Sequence, residues 1–427
     1  MWLLRHRLIL LLIALPTALA CNGDNLTVPD TGTLEVTTST SGPEPDPDGY
    51  TVQVDVEQPK AIGATGSLQS SELSAGSHTV LLSGAAPNCV VAGENPRTVS
   101  ITAGQAATIS FAITCAASSP SPRVSRWASI PLGNAYHWSD LWASTPTNIL
   151  VTGVAFEPDR SAVWHYDGQS WSEQLQRGDT TVAAIWGSSA ADIFAVGHRS
   201  LNSDFGLNGA VLHYDGSQWS DIAAPGHDYY AIWGTSPRDV FAGGNSSRVM
   251  RYDGSQWSEM PTTGFGPEAT IQQISGISPT DVWAIGWRTR CDDCSHRTYF
   301  VARYDGRTWT TVYSTSDNTF NALWVGAAND VWVVGVGYNE DGYILHYDGT
   351  TWQETFRRSA ADIASPPIDD VWGSSSSDIY AVGGEGVLHY DGSSWTVIDS
   401  RPAQLIWGTS LNDVFVLDQH EVRHGMR

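Results

Sequence analysis

Ile185-Trp186-Gly187-Ser188-Ser189 precedes Asp192-Ile193-Phe194-Ala195-Val196-Gly197, which precedes Val211-Leu212-His213-Tyr214-Asp215-Gly216 and then Trp219. This order of signals returns seven times between residues 126 and 427. The Trp segment recurs at Trp142, Trp186, Trp233, Trp324, Trp372 and Trp407, with Ser275 in the equivalent place of the fourth copy. Repeats of about 40–50 residues built from short strands predict a β-propeller. Each copy offers four strands. Strand A ends in the Trp segment. Strand B follows Asn148, Asp192, Asp239, Asp281, Asp330, Asp378 or Asp413. Strand C runs into Tyr-Asp-Gly, and strand D carries Trp171, Trp219, Trp257, Trp309, Trp352 or Trp395. The seventh copy stops at Arg427, in or just after its C strand, whereas Trp127 precedes the first copy. The expected fold is therefore all-β: a seven-bladed propeller of four-stranded blades over 126–427, its N-terminal strand completing the last blade. Such closure removes the free edges of a broken ring.

The Asp-Gly-x-x-Trp turn has a physical reason. Asp accepts from the backbone two residues on, and Gly supplies φ > 0 for a tight hairpin. The following Trp is expected between adjacent blades. Asp167, Asp215, Asp253, Asp305, Asp348 and Asp391 recur once per blade, too far apart to share an ion, so they are expected to cap turns. His165, His213, His346 and His389 recur before Tyr in strand C and are expected to make a repeated structural contact.

These motifs resemble the Asp-box of BNR-repeat propellers, except that here Asp and Gly are adjacent. The Asp-Val-Phe-Ala-x-Gly and Leu-His-Tyr-Asp-Gly-x-x-Trp combination also resembles the BNR-like propellers of photosystem II assembly factors. The likeness lies in scaffold positions and implies architecture rather than chemistry.

The N-terminus carries an address. Arg5 and Arg7 precede the apolar run Leu8–Leu15, and Ala18-Leu19-Ala20 precedes Cys21. This pattern predicts a signal peptide over 1–20, too short to span a bilayer. Cys21 resembles the lipidated cysteine of a bacterial lipobox, with Ala18 where that motif usually has Leu. Of the five cysteines, Cys89/Cys115 and Cys291/Cys294 form two plausible disulfide pairs and leave Cys21 odd. The expectation is a lipid anchor at Cys21, a tether over 21–32 and a place in the bacterial cell envelope, with the lipid as the sole membrane contact.

Residues 33–117 show strand alternation, as in Thr51-Val-Gln-Val-Asp-Val56, and no helical period. They predict a small immunoglobulin-like sandwich bridged by Cys89 and Cys115. Residues 49–55, 75–80 and 88–91 resemble the PEGA domain, which implies a spacer. Residues 118–125 read as a linker.

The net charge is −23, with Lys60 the single lysine, which argues against nucleic acid as a partner. A–B and C–D connections keep nearly constant length, whereas B–C and D–A loops, on the opposite face, vary. Function concentrates on variable loops carried by a rigid scaffold. The candidate binding residues there are His198, Arg199, Phe205, Tyr229, Tyr230, Trp287, Arg288, Arg290, Tyr338 and Glu340. Their aromatics suit sugar rings or peptide side chains. Cys291 and Cys294 are expected to pin the longest of these loops by a local disulfide, with a redox-active pair as the alternative. No nucleophile–base motif, metal-ligand set or phosphate loop is recognised, so neither catalytic residues nor cofactors are assigned. The expected function is a monomeric, non-catalytic platform for protein or glycan. The alternative is a propeller-type glycoside hydrolase or lyase resembling sialidases, which needs an arginine cluster and a Tyr/Glu pair. The inner strands 182–188, 230–235, 321–326 and 404–409 carry neither Arg nor Glu.

Overall fold

A computed structural model describes residues 31–427, apart from 43–45, 47, 48, 56, 58, 87, 88, 116–122, 133–135, 157, 158, 200–208, 224–226, 267, 290–296, 338–340 and 358–366. The chain divides into two units, 1–116 and 117–427.

The first unit is a sandwich of two four-stranded sheets. One sheet orders Gly66–Ser74, Thr31–Ser41, Ala106–Cys115 and Cys89–Val91; the other orders Lys60–Ile62, Tyr50–Val54, Gly76–Ser83 and Arg97–Ile101. Alternation explains the layers: Leu34, Val36, Val52, Val54, Val80 and Leu82 point inward and meet Phe111 and Ile113 in one core. Cys89 and Cys115 sit opposite each other on paired strands and form the expected disulfide.

The second unit is the propeller. Six antiparallel sheets each use four consecutive strands, beginning at His137–Thr145, Thr180–Ser189, Tyr229–Ser236, Thr270–Ser278, Thr319–Ala327 and Ile368–Ser375. The seventh joins Leu405–Ser410, Asp413–Leu417 and Glu421–Met426 to Arg126–Pro131. Trp127 pairs with Gly425 and Ala128 with His424, so the N-terminal strand completes the last blade as expected. Between the last blade and the first, Trp407 Nε1 donates to the Ala143 carbonyl at 2.9 Å.

Three repeated devices hold the blades, the first of them in the six whose four strands are consecutive. At the turn, Asp215 Oδ1 accepts from the amides of Ser217 and Gln218 at 2.8 and 2.9 Å, and Gly216 has φ 90°. Asp167, Asp253, Asp305, Asp348 and Asp391 do the same. In strand D, tryptophan packs on the preceding blade: Trp257 meets Phe194 edge-on at 6.4 Å, and Trp395 meets Trp332 edge-on at 5.8 Å. Third, the residue opening strand B accepts from the strand-C side chain. His165 binds Asn148 at 2.7 Å, His213 binds Asp192 at 2.7 Å, His346 binds Asp330 at 2.8 Å, His389 binds Asp378 at 2.9 Å and His424 binds Asp413 at 2.9 Å. Arg251 and Arg303 replace histidine in the third and fourth blades and reach Asp239 and Asp281.

The inner strands explain the Trp-Gly segment. A Cβ placed on Gly187 would lie 2.7 Å from the Trp142 ring of the preceding blade. One on Gly234 would lie 2.8 Å from Trp186, and one on Gly373 3.0 Å from Trp324. In these blades the indole rests on the next blade's glycine, whereas Trp407 of the last blade meets Ala143 of the first. A second departure is paired: the fourth blade carries Ser275 in the tryptophan's place, and the fifth carries Val325 in the glycine's. Side-chain bulk has moved from one partner to the other.

Candidate functional site

A central channel of about 220 Å³ runs among the inner strands, and all seven blades contribute to its wall. Five of the inner-strand tryptophans line it: Trp186, Trp233, Trp324, Trp372 and Trp407. Each inner strand except the last carries a register shift three residues before the Trp place, at Ser139, Ala183, Tyr230, Gln272, Asn321 and Asp369. A bulge re-aims side chains, and these residues all reach the channel.

The next residue along is decisive. Ala184, Ala231 and Ala322 stand there in three blades, but Asp140, Gln273 and Asp370 in three others. Each of those three accepts from the following blade's inner strand. Asp140 Oδ2 accepts from the Ile185 amide at 2.8 Å, Gln273 Oε1 from Leu323 at 2.5 Å and Asp370 Oδ2 from Ile406 at 2.9 Å. The second oxygens of Asp140 and Asp370 accept from Leu141 and Val371, both at 2.8 Å. The two aspartates therefore staple neighbouring blades across the channel wall. Burial pushes the Asp140 carboxyl up to about 7, against the two amide bonds. Burial pushes Asp370 up to about 8, with Asp140 and Asp369 adding repulsion. Asp369 rises to about 6 through desolvation alone.

The described residues expected to bind ligand fall at strand ends on one face of the blades, and Tyr230 among them lines the channel. His198 and Arg199 close strand B of the second blade, opposite Thr181 and Thr180. Arg199 and Arg177 share Asp221. Tyr230 opens the inner strand of the third blade and lines the channel, and its hydroxyl accepts from Asn245 Nδ2 at 3.1 Å. Trp287 and Arg288 end strand B of the fourth blade. The guanidinium of Arg297 lies 3.9 Å from the Trp287 ring centre, and Arg288 donates to the Phe265 carbonyl at 3.0 Å. Arg288 also borders a shallow cleft with Thr298, Ser314, Thr315, Ser316 and Asp317. Tyr229 corrects the expectation of an exposed side chain. It is 1% exposed and belongs to the core between the second and third blades, because strand alternation sends it inward while the bulge turns Tyr230 to the channel. Phe205, Arg290, Tyr338, Glu340, Cys21, Cys291 and Cys294 lie outside the described residues. Among the described residues, no group of three His, Cys, Asp or Glu side chains could hold a metal ion. No helix among them is long and apolar enough to cross a membrane.

The channel aspartates escaped the sequence reading because they do not repeat. Aligning the copies on the inner Trp would have revealed them, as acids in a column of alanines.

No protein-family model and no curated protein sequence matches the chain. Solved structures do match its fold. YCF48 bound to D1 peptide is similar at 16% identity over 73% of this chain and 100% of that one, with a TM-score of 0.50. YCF48 from Cyanidioschyzon merolae is similar at 14% identity over 70% of this chain and 98% of that one, also at 0.50. The extracellular domain of the putative one-component system BT4673 from B. thetaiotaomicron is similar at 13% identity and a TM-score of 0.51. The match covers 71% of this chain and 40% of that one. At these identities the likeness is one of fold, and the fold is a β-propeller.

Proposed function

We propose that this chain is an exported, lipid-anchored bacterial envelope protein whose propeller is a non-catalytic docking platform for a protein or glycan. One observation carries the reading: His198, Arg199, Tyr230, Trp287 and Arg288 gather at strand ends on one face, while the opposite face is spent on uniform capped turns. The channel acids Asp140 and Asp370 support a structural rather than catalytic use, since both oxygens of each are taken by backbone amides. A propeller of similar fold, YCF48, is bound to a peptide, and a rim of aromatic and cationic groups suits such an occupant.

The test is a peptide and glycan array probed with the full chain. Trp287→Ala is expected to weaken the selected ligand at least tenfold, as loss of a hot-spot aromatic does (about 2 kcal/mol or more), without moving the unfolding midpoint. Turnover of a fluorogenic glycoside panel would instead favour the hydrolase reading. For the anchor, mass spectrometry of the mature protein should find acyl chains on Cys21, and an unmodified Cys21 would remove that part of the proposal.

A further inference from the structure

The channel is one-sided in charge. Among the described residues, its lining includes Asp140, Asp369 and Asp370, with Tyr230 as the remaining titratable side chain, and no Lys, Arg, His or Glu. Asp140 and Asp370 at least hold amide partners. Asp369 lines the channel, and desolvation raises its carboxyl. In the fourth blade, the buried Oε1 of Gln272, another channel residue, accepts no hydrogen bond among the described residues. A shielded acceptor without a donor and a desolvated carboxylate without a counter-charge are both costly. Both costs fall if a donor with positive charge enters.

Geometry narrows the kind of cation. The carboxylates do not converge as metal ligands do. The lining also holds six aromatic residues, Trp186, Trp233, Trp324, Trp372, Trp407 and Tyr230, among aliphatic ones. Spaced acceptors around indole and phenol rings fit an organic cation, which tolerates partial desolvation and gains from ring faces. A volume of about 220 Å³ holds an alkylammonium head with a short stem.

We propose that the central channel is a socket for one alkylammonium group, either a free amine or a lysine side chain of a docked partner. The socket and the candidate rim share Tyr230, but Asp369 belongs to the channel and Trp287 to the rim, so Asp369→Asn and Trp287→Ala test the two separately. Binding is linked to pH. The channel carboxyls are held above the ordinary range, up to about 6, 7 and 8, and a bound cation favours their ionised forms. Affinity therefore rises with pH through that window, and binding releases protons.

Titration calorimetry of the full chain tests this. The probes are n-pentylammonium against 1-pentanol, and the peptide Gly-Gly-Lys-Gly-Gly against its norleucine counterpart. Channel tryptophan fluorescence gives a second signal. Saturable binding of the charged member of either pair is expected, about tenfold or more tighter at pH 8.5 than at pH 5.5. Proton release should appear as heats that depend on the buffer. Binding of n-pentylammonium identifies a free amine as sufficient, and binding of the peptide alone identifies a partner's lysine. Asp369→Asn, which removes a carboxylate that staples no strands, should weaken binding about tenfold at pH 8.5 without lowering the unfolding midpoint. Absence of binding for both charged probes, equal binding of the neutral partners, or an unchanged affinity in Asp369→Asn would overturn the socket.

Discussion

Two residues before each inner tryptophan, one side chain decides whether a blade grips its neighbour. Asp140 and Asp370 do so with buried carboxylates, and this has a pH signature. In the unfolded chain these groups titrate near 3.8, whereas in the fold burial raises them to about 7 and about 8. Between those values the folded chain holds protons that the unfolded chain has released. Their contribution to stability is therefore full below about pH 4, falls as pH rises to about 8 and is level beyond. The Asp-Gly turn carboxylates shift the other way: hydrogen bonds to Ser217 and Gln218 bring Asp215 down to about 2. Their contribution is present above the ordinary carboxylate value and is lost in acid, so the two windows do not overlap. Urea midpoints should be higher at about pH 5.5 than at about pH 8.5, and Asp370→Asn should shrink the gap. Equal midpoints at both values would contradict the burial. The Trp-on-Gly contact makes a second prediction. Gly187→Val should cost about 1–3 kcal/mol by overpacking against Trp142, and Trp142→Ser should restore part of that loss in the double variant. The Ser275 and Val325 pair shows that the chain already uses this solution. A double-mutant cycle with no coupling would reject it.

Between strands, the contact joining B to C differs in depth from blade to blade. Asp378 is fully buried, bound by His389, Ser374 and Arg427. Its carboxyl stays below the ordinary range because those bonds outweigh burial. Asp192 pairs with His213 in a half-exposed setting. Asp378→Ala leaves a buried Arg427 without its carboxylate and should cost about 3–5 kcal/mol, while Asp192→Ala should cost about 1 kcal/mol. Urea unfolding of both variants measures the contrast, and equal losses would refute it. This scale also shows how far the sequence could be read. The residue opening strand B and the strand-C histidine were each visible as a recurring letter. Their bond was not, because it joins positions 11–21 residues apart through a register that only pairing fixes. Turn aspartates were legible in full, since their partners lie two and three residues on. Tyr229 was misread because a bulge shifts alternation by one place, and a bulge leaves no periodic mark.

At the scale of the molecule, the two units carry separate stabilising devices. The disulfide of the sandwich closes a separation of 26 residues, worth about 3 kcal/mol in the chain-entropy model. Cys89→Ser should lower the sandwich transition and leave the propeller transition unmoved in differential scanning calorimetry; a common shift would show that the units unfold together. In the propeller, repetition made the ring legible, and the single departures from repetition made the channel. The ring itself depends on Arg126–Pro131 pairing with Glu421–Met426. Hydrogen exchange read by mass spectrometry measures that pairing directly. Amides of 126–131 should be protected to the same degree as those of 421–426, and their protection should be lost in one step with the rest of the ring. Rapid exchange of 126–131 beside a protected 421–426 would mean that the last blade is not completed by the first strand.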